Sequence, residues 1–325
     1  MSRSVSGHDQ VIPGLEMANN PAVEVHRLTK RYGELLAVDH VSFEVSSGEI
    51  FGFLGPNGAG KTTTLRMLTG VIKPDDGDAL IMGHRAGSLQ AKQVAGVVPE
   101  MANPYGDLSG WNNLMLMGEL YGVPFKEARE RATRLLQGMG LLSRKDEVVR
   151  TYSKGMRQRL VLGMALISDP EILFLDEPTS GLDVQSARLI KSMLRNLNAA
   201  GRTIFLTTHD MDEANELCDR VAIINRGKIA AIDAPEKLRA SISGMHSVEA
   251  SFDRAVDLEL LTSIPGVKEV KKVGDKYRLY TAAPGQVVVS LVNTVCALNL
   301  SIVSLNIMAP SLEDAFVALT ERETK

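Results

Sequence analysis

The chain has 325 residues, 44% of them hydrophobic, which is enough for one large core and a second, smaller one. A formal net charge of −3 gives no overall electrostatic footprint for nucleic acid or an anionic membrane; no nucleic-acid partner is expected, and membrane association should come through a protein. The two cysteines, Cys218 and Cys296, form no metal-spacing motif, fit a reducing compartment and read as core thiols.

The N-terminus from Met1 to His8 is polar and lacks the apolar segment of a secretory signal, and residues 1–21 read as a flexible tail. From Ala22 to Leu28 apolar and polar side chains alternate, Arg31-Tyr32-Gly33 makes a turn, and Val41 to Val45 alternates again, which predicts two half-exposed strands. Ile50 to Leu54 is a continuous apolar run. It leads into Gly55-Pro56-Asn57-Gly58-Ala59-Gly60-Lys61-Thr62-Thr63, and then to Leu65 and Leu68, spaced as on one face of a helix. Strand, glycine-rich turn and helix in this order make a phosphate-binding loop. Small residues let backbone N–H groups converge on an anion, and the helix N-terminus adds its own. Lys61 would reach the outer phosphates of a nucleoside triphosphate, and the Thr62 hydroxyl would hold Mg²⁺.

Further along, Asp75 to Asp78 has turn chemistry, Ala79 to Gly83 reads as a short strand, and residues from about 105 to 165 read as a mostly helical subdomain. Ile172 to Leu175 is an apolar strand ending in Asp176-Glu177, and Thr203 to Thr207 is another ending in Thr208-His209. Between them Ile190, Met193, Leu194 and Leu197 mark a helix by their spacing. Such buried strands separated by helices predict a parallel α/β sheet with its ligand site at the carboxyl ends of the strands. The glycine loop, Asp176, Glu177 and His209 all fall there. Asp176 can bind Mg²⁺, Glu177 can orient and deprotonate a water, and His209 can donate to a γ-phosphate.

Val221 to Ile224 and Lys228 to Ile232 read as a closing hairpin, followed by a short helix with Pro235 in its first turn. The rest of the chain has the order βαββαβ with a trailing helix, a small split βαβ unit of α+β type. No charged residue occurs from Leu279 to Leu312, but Pro284-Gly285 and the asparagines at 293, 299 and 306 argue for a buried helix followed by a strand, not a membrane span. Ser311 to Asp314 resembles a capping box for the last helix.

Together these residues resemble the nucleotide-binding subunits of ATP-binding cassette transporters over about residues 22–235. Gly55 to Thr63 matches the Walker A loop, Ile172 to Glu177 matches Walker B with its catalytic glutamate, Ser180 to Asp183 matches the D-loop, and His209 matches the switch histidine. Tyr32 lies where the family stacks an aromatic ring on adenine, so ATP is the implied nucleotide. Ser153-Lys154-Gly155-Met156-Arg157-Gln158 resembles the family signature in degenerate form, with Lys154 in place of a glycine. Glu100 stands where the family commonly has a glutamine; a carboxylate can still ligate Mg²⁺, but it adds negative charge near the phosphates.

The resemblance implies an α/β P-loop cassette over residues 22–240, with a mixed sheet and a helical subdomain, and a ferredoxin-like accessory domain over residues 245–325, as on drug- and antibiotic-exporter ATPases. That domain is equally compatible with a regulatory and a structural role. The resemblance further implies ATP and Mg²⁺ as cofactors and a head-to-tail homodimer in which Ser153 and Gly155 cap the ATP of the other subunit. A separate transmembrane permease would hold the ATPase at the cytoplasmic face of the membrane and export drug-like or other hydrophobic cargo. A second reading is a soluble cassette protein acting as an ATP-dependent regulator.

Overall fold

Two strands with alternating burial, β1 (Val23–Tyr32) and β2 (Leu35–Val45), open the fold as an antiparallel pair. The fully buried β3 (Ile50–Leu54) then passes through the glycine turn into α1 (Lys61–Leu68). These elements belong to a computed structural model that describes residues 21–101, 103–241 and 246–322; apart from residue 21, the predicted tail lies outside the described residues. β4 (Asp76–Ile81) returns to pair with β1 and carries the two-residue β5 (His84–Arg85). Here the predicted turn is corrected. Asp76 and Asp78 pair with Thr29 and His26 inside the sheet, so ladder formation overrides local turn propensity, and Gly77 absorbs the irregularity at φ 78.

After α2 (Leu89–Val94) and β6 (Ala95–Val98) the chain enters a helical stretch, α3 (Gly110–Leu120), α4 (Phe125–Gly138) and α5 (Lys154–Leu166). It returns to the sheet with β7 (Ile172–Asp176), α6 (Val184–Ala199), β8 (Thr203–Thr208), α7 (Met211–Leu217), β9 (Arg220–Asn225), β10 (Lys228–Asp233) and α8 (Pro235–Ser241). The resulting six-stranded sheet has the order β10-β9-β3-β8-β7-β6, parallel except for β10, which pairs antiparallel with β9.

Side chains alternate between two covered faces along β3, β7 and β8, which are buried throughout. One face sends Leu54, Leu173, Leu175 and Leu206 into a cluster with Leu160 of α5 and Ile190 and Leu194 of α6. The other face sends Phe51, Phe53 and Phe205 against Phe43 of β2, with Phe174 against Phe205. Phe43 and Phe51 stack with ring centroids 5.5 Å apart. Each fully buried aromatic contributes about 1.5–3 kcal/mol. This aromatic layer joins the two sheets and fixes the strand from which the glycine loop departs.

The remaining elements are β11 (His246–Phe252), α9 (Leu258–Thr262), β12 (Val267–Val273), β13 (Lys276–Thr281), α10 (Pro284–Ala297), β14 (Ile302–Met308) and α11 (Leu312–Arg322). Their antiparallel sheet has the order β12-β13-β11-β14, with β13 inserted between the two strands that α9 connects. Leu261 of α9 and Val287, Leu291 and Val295 of α10 pack on Val248, Ala250 and Leu279. Among the described residues no helix is long and apolar enough to cross a membrane.

One expectation about the cysteines changes. Cys218 is buried, but Cys296 is exposed, because position 296 falls off the buried Val287-Leu291-Val295 stripe of α10. The last helix also meets the elements that close the cassette. Leu312 of α11 is buried with Leu217 of α7 and Leu238 of α8, and Phe316 and Leu319 pack against the same cluster. The predicted capping box forms: the Asp314 N–H donates to Ser311 Oγ at 3.0 Å and the Ser311 N–H donates to Asp314 Oδ2 at 2.9 Å.

Candidate functional site

The glycine loop is anchored at both ends by backbone bonds. The Gly55 N–H donates to the Thr208 carbonyl at 3.3 Å, and the Gly227 N–H donates to the Ala59 carbonyl at 2.9 Å. Gly60 precedes α1 at φ 108, and a Cβ there would lie 2.6 Å from the Ala37 carbonyl oxygen, so a side chain is excluded by conformation and by space. The first N–H groups of α1, on Lys61, Thr62 and Thr63, have no acceptor within the helix, which leaves them for an anion in the loop.

Lys61 is only 6% exposed. Its Nζ donates to the Gly55 carbonyl at 2.8 Å and the Pro56 carbonyl at 3.3 Å, and pairs with Glu177 Oε1 at 3.2 Å. The other oxygen of Glu177, Oε2, lies 2.7 Å from His209 Nδ1. Glu177 is therefore held between a buried ammonium and an imidazole. A phosphate oxygen entering the loop would compete with this carboxylate and the two carbonyls for Lys61.

Asp176 lies at the end of β7, beside α1. Its Oδ1 accepts hydrogen bonds from Thr62 Oγ1 at 3.2 Å and Thr207 Oγ1 at 2.5 Å. Thr62 Oγ1 and the Asp176 carboxylate are hard oxygen donors close enough to share one ion, and that donor set fits Mg²⁺. Among the described residues no group of three or more His, Cys, Asp or Glu side chains could hold a metal.

A cleft of about 510 Å³ gathers most of the predicted residues: Tyr32, the loop from Pro56 to Thr63 except Ala59, Glu100, Glu177 and His209. Tyr32 is 48% exposed at its rim, as an aromatic platform would be. Gly55, Ala59 and Asp176 do not line it. A larger recess, about 710 Å³, lies between Gly70 and Gly87 and holds none of the predicted residues. Ser153 and Gly155 do not line the 510 Å³ cleft. Ser153 caps α5 by accepting the Met156 N–H at 3.2 Å, and Gly155 packs so closely on α6 that a Cβ would come within 2.1 Å of Ser186 Oγ.

Three polar contacts were not legible in the motifs. Lys154 Nζ donates to the carbonyls of Ser180 at 2.9 Å and Gly181 at 3.1 Å. Thr179 Oγ1 donates to buried Glu213 of α7 at 2.6 Å. The Glu177 N–H donates to both the carbonyl and the Oγ1 of Thr207, each at 3.1 Å, with Glu177 at φ 49. A buried threonine at the end of an apolar strand, two positions before His209, was the available signal for the last.

A parallel sheet that delivers a glycine loop, an acidic pair and a histidine to one rim has the fold of a phosphate-loop nucleoside triphosphatase. The family model for the ABC transporter matches residues 38–180. Over 315 residues the chain is 39% identical to Nod factor export ATP-binding protein I of Ralstonia nicotianae, covering 96% of this chain and 98% of that protein. It is 35% identical to the linearmycin resistance ATP-binding protein of Bacillus subtilis over 92% of this chain and 98% of that protein. It is 38% identical to the daunorubicin/doxorubicin resistance ATP-binding protein of Streptomyces peucetius over 75% and 77%. The chain belongs to the ATP-binding cassette family and is an ATPase subunit of an ABC transporter. Among solved structures, an ATP binding subunit of an ABC transporter matches with TM-score 0.63 and 28% identity, covering 68% of this chain and 92% of that one. A dimeric post-hydrolysis cassette bound to ADP and Pi matches with TM-score 0.59 and 26% identity, covering 65% and 98%.

Proposed function

We propose that this subunit hydrolyses ATP in a head-to-tail homodimer and drives a separate transmembrane permease that exports drug-like or other hydrophobic cargo. The observation that carries the catalytic part is the Glu177 carboxylate, with its two oxygens held by Lys61 and His209 at the mouth of the glycine loop. Export is supported by the relatives, which are named for Nod factor export and for resistance to linearmycin and daunorubicin/doxorubicin.

In this reading Lys61 and the loop N–H groups bind the phosphates, and Tyr32 stacks on the base. Glu177 orients the attacking water and accepts its proton, while His209 donates to the γ-phosphate. Thr62 and Asp176 hold Mg²⁺, with Glu100 facing the same cleft. The bound ion supplies charge neutralisation on the phosphate oxygens. Ser153 and Gly155 cap the ATP of the partner subunit, which fits their place outside the cleft of their own chain. The small antiparallel sheet is read as a ferredoxin-like accessory unit, supported by its strand order. Attachment to the membrane follows through the permease.

Glu177→Gln tests the reading. The variant should bind ATP, lose steady-state hydrolysis and accumulate as an ATP-bound dimer on size exclusion; wild-type turnover would reject Glu177 as the base. Co-purification of the full chain with a multi-helix membrane protein tests the transport partner.

A further inference from the structure

Thr207 stands directly opposite Asp176 in the parallel pairing of β8 with β7 and two residues before His209. Neighbouring parallel strands present register partners on the same face, so the two side chains meet. The Thr207 side chain is fully buried, and its one hydroxyl serves both acidic residues of the site. Oγ1 donates its hydrogen to Asp176 Oδ1 at 2.5 Å and accepts the Glu177 N–H at 3.1 Å. A hydroxyl has one hydrogen to give and lone pairs to receive, so both bonds form at once. Glu177 sits at φ 49, a left-handed conformation that a Cβ disfavours and that surrounding bonds must hold.

We infer that Thr207 is a positioning residue for ATP hydrolysis: its hydroxyl sets the Asp176 carboxylate toward Thr62 and holds the Glu177 backbone in the turned conformation that delivers its carboxylate to Lys61 and His209. This rests on the roles proposed above for Asp176 and Glu177. Both carboxylates are then referenced to one atom, and their separation is fixed before nucleotide arrives. Without the hydroxyl, Asp176 Oδ1 keeps Thr62, and the Glu177 N–H keeps the Thr207 carbonyl at 3.1 Å, so the strand pairing survives while the orientation loosens. A carboxylate displaced by about 1 Å from its reacting position loses on the order of 100-fold in rate.

Valine has nearly the shape of threonine and lacks the hydroxyl, so it separates packing from hydrogen bonding. In the full chain, Thr207→Val should lower kcat about 10-fold or more, with ATP affinity in EDTA within about twofold of wild type. The strengthening of ATP binding on adding Mg²⁺ should shrink severalfold, and Thr207→Ser should recover most of the turnover. A Thr207→Val enzyme with kcat within about twofold of wild type overturns the inference, as does a serine variant as slow as the valine variant. If valine yields little folded protein, Thr207→Ala is compared with Thr207→Ser by the same criterion. Glu177→Gln is assayed alongside. Full turnover there rejects the role of Glu177 itself, whereas an inactive Glu177→Gln beside an unimpaired Thr207→Val rejects only the role of Thr207.

Discussion

Lys154 Nζ donates to the Ser180 carbonyl at 2.9 Å and the Gly181 carbonyl at 3.1 Å, so the side chain that replaces a signature glycine ties the start of α5 to the D-loop stretch of its own chain. A glycine at 154 could not make this contact. The link couples the segment proposed to cap a partner's ATP to the segment that follows Glu177. Lys154→Ala should leave ATP affinity at the chain's own loop unchanged and speed backbone amide exchange over residues 180–183. Because Lys154 is exposed, the stability loss should stay within about 1 kcal/mol. Unchanged exchange at 180–183 would show that the tether restrains nothing.

Lys61→Ala removes the only cation within ion-pair distance of Glu177 Oε1 among the described residues, as well as the expected phosphate ligand. ATP affinity should fall at least about 10-fold, the cost of one lost charge-assisted hydrogen bond. A fluorescent ATP analogue titration gives the number, and wild-type affinity would remove Lys61 from the phosphate site.

Glu213 gives a pH-dependent outcome. Burial pushes its carboxyl pKa up, against the opposing hydrogen bond from Thr179. A raised native pKa means the folded chain holds this proton more tightly than the unfolded chain. The contribution to stability is therefore most favourable below the unfolded pKa and is lost as pH rises through the folded one. Glu213→Gln keeps an acceptor for Thr179 and removes the titration. Its melting temperature relative to wild type should rise from acid to neutral pH, and a difference that stays flat across that range would count against burial as the cause.

The α11 contact predicts that the last helix stabilises the cassette. Leu312→Ala should cost about 2–4 kcal/mol in chemical denaturation, because the leucine is buried among Leu217 and Leu238. A chain ending near residue 240 should melt lower than the full chain, since it uncovers that cluster. An equal melting temperature would mean that α11 contributes nothing to the cassette.

Much of the site was readable from one-dimensional order. A phosphate loop is contiguous, its chemistry is local, and the strand that feeds it is marked by a run of buried apolar residues. Asp176, Glu177 and His209 were legible for the same reason, since each lies within three residues of the end of such a run. What failed to show were contacts between segments far apart in the chain. Thr207 reads as one more strand residue until β8 is set in register with β7, and Lys154 reads as a departure from a motif until the 180–181 carbonyls are brought to it.

The same division holds for the fold. Composition, periodicity and the spacing of glycine loop, acidic pair and histidine determined a parallel α/β sheet with a nucleoside-triphosphate site on its rim, because backbone geometry imposes those periods locally, while ATP itself followed from the family resemblance. Tertiary structure alone decided that Asp76 to Asp78 forms strand, that Cys296 faces solvent and that α11 buries Leu312 against α7 and α8. Each of these depends on which surface meets which after folding. Pairing and burial then outweigh local preferences of less than about 1 kcal/mol per residue.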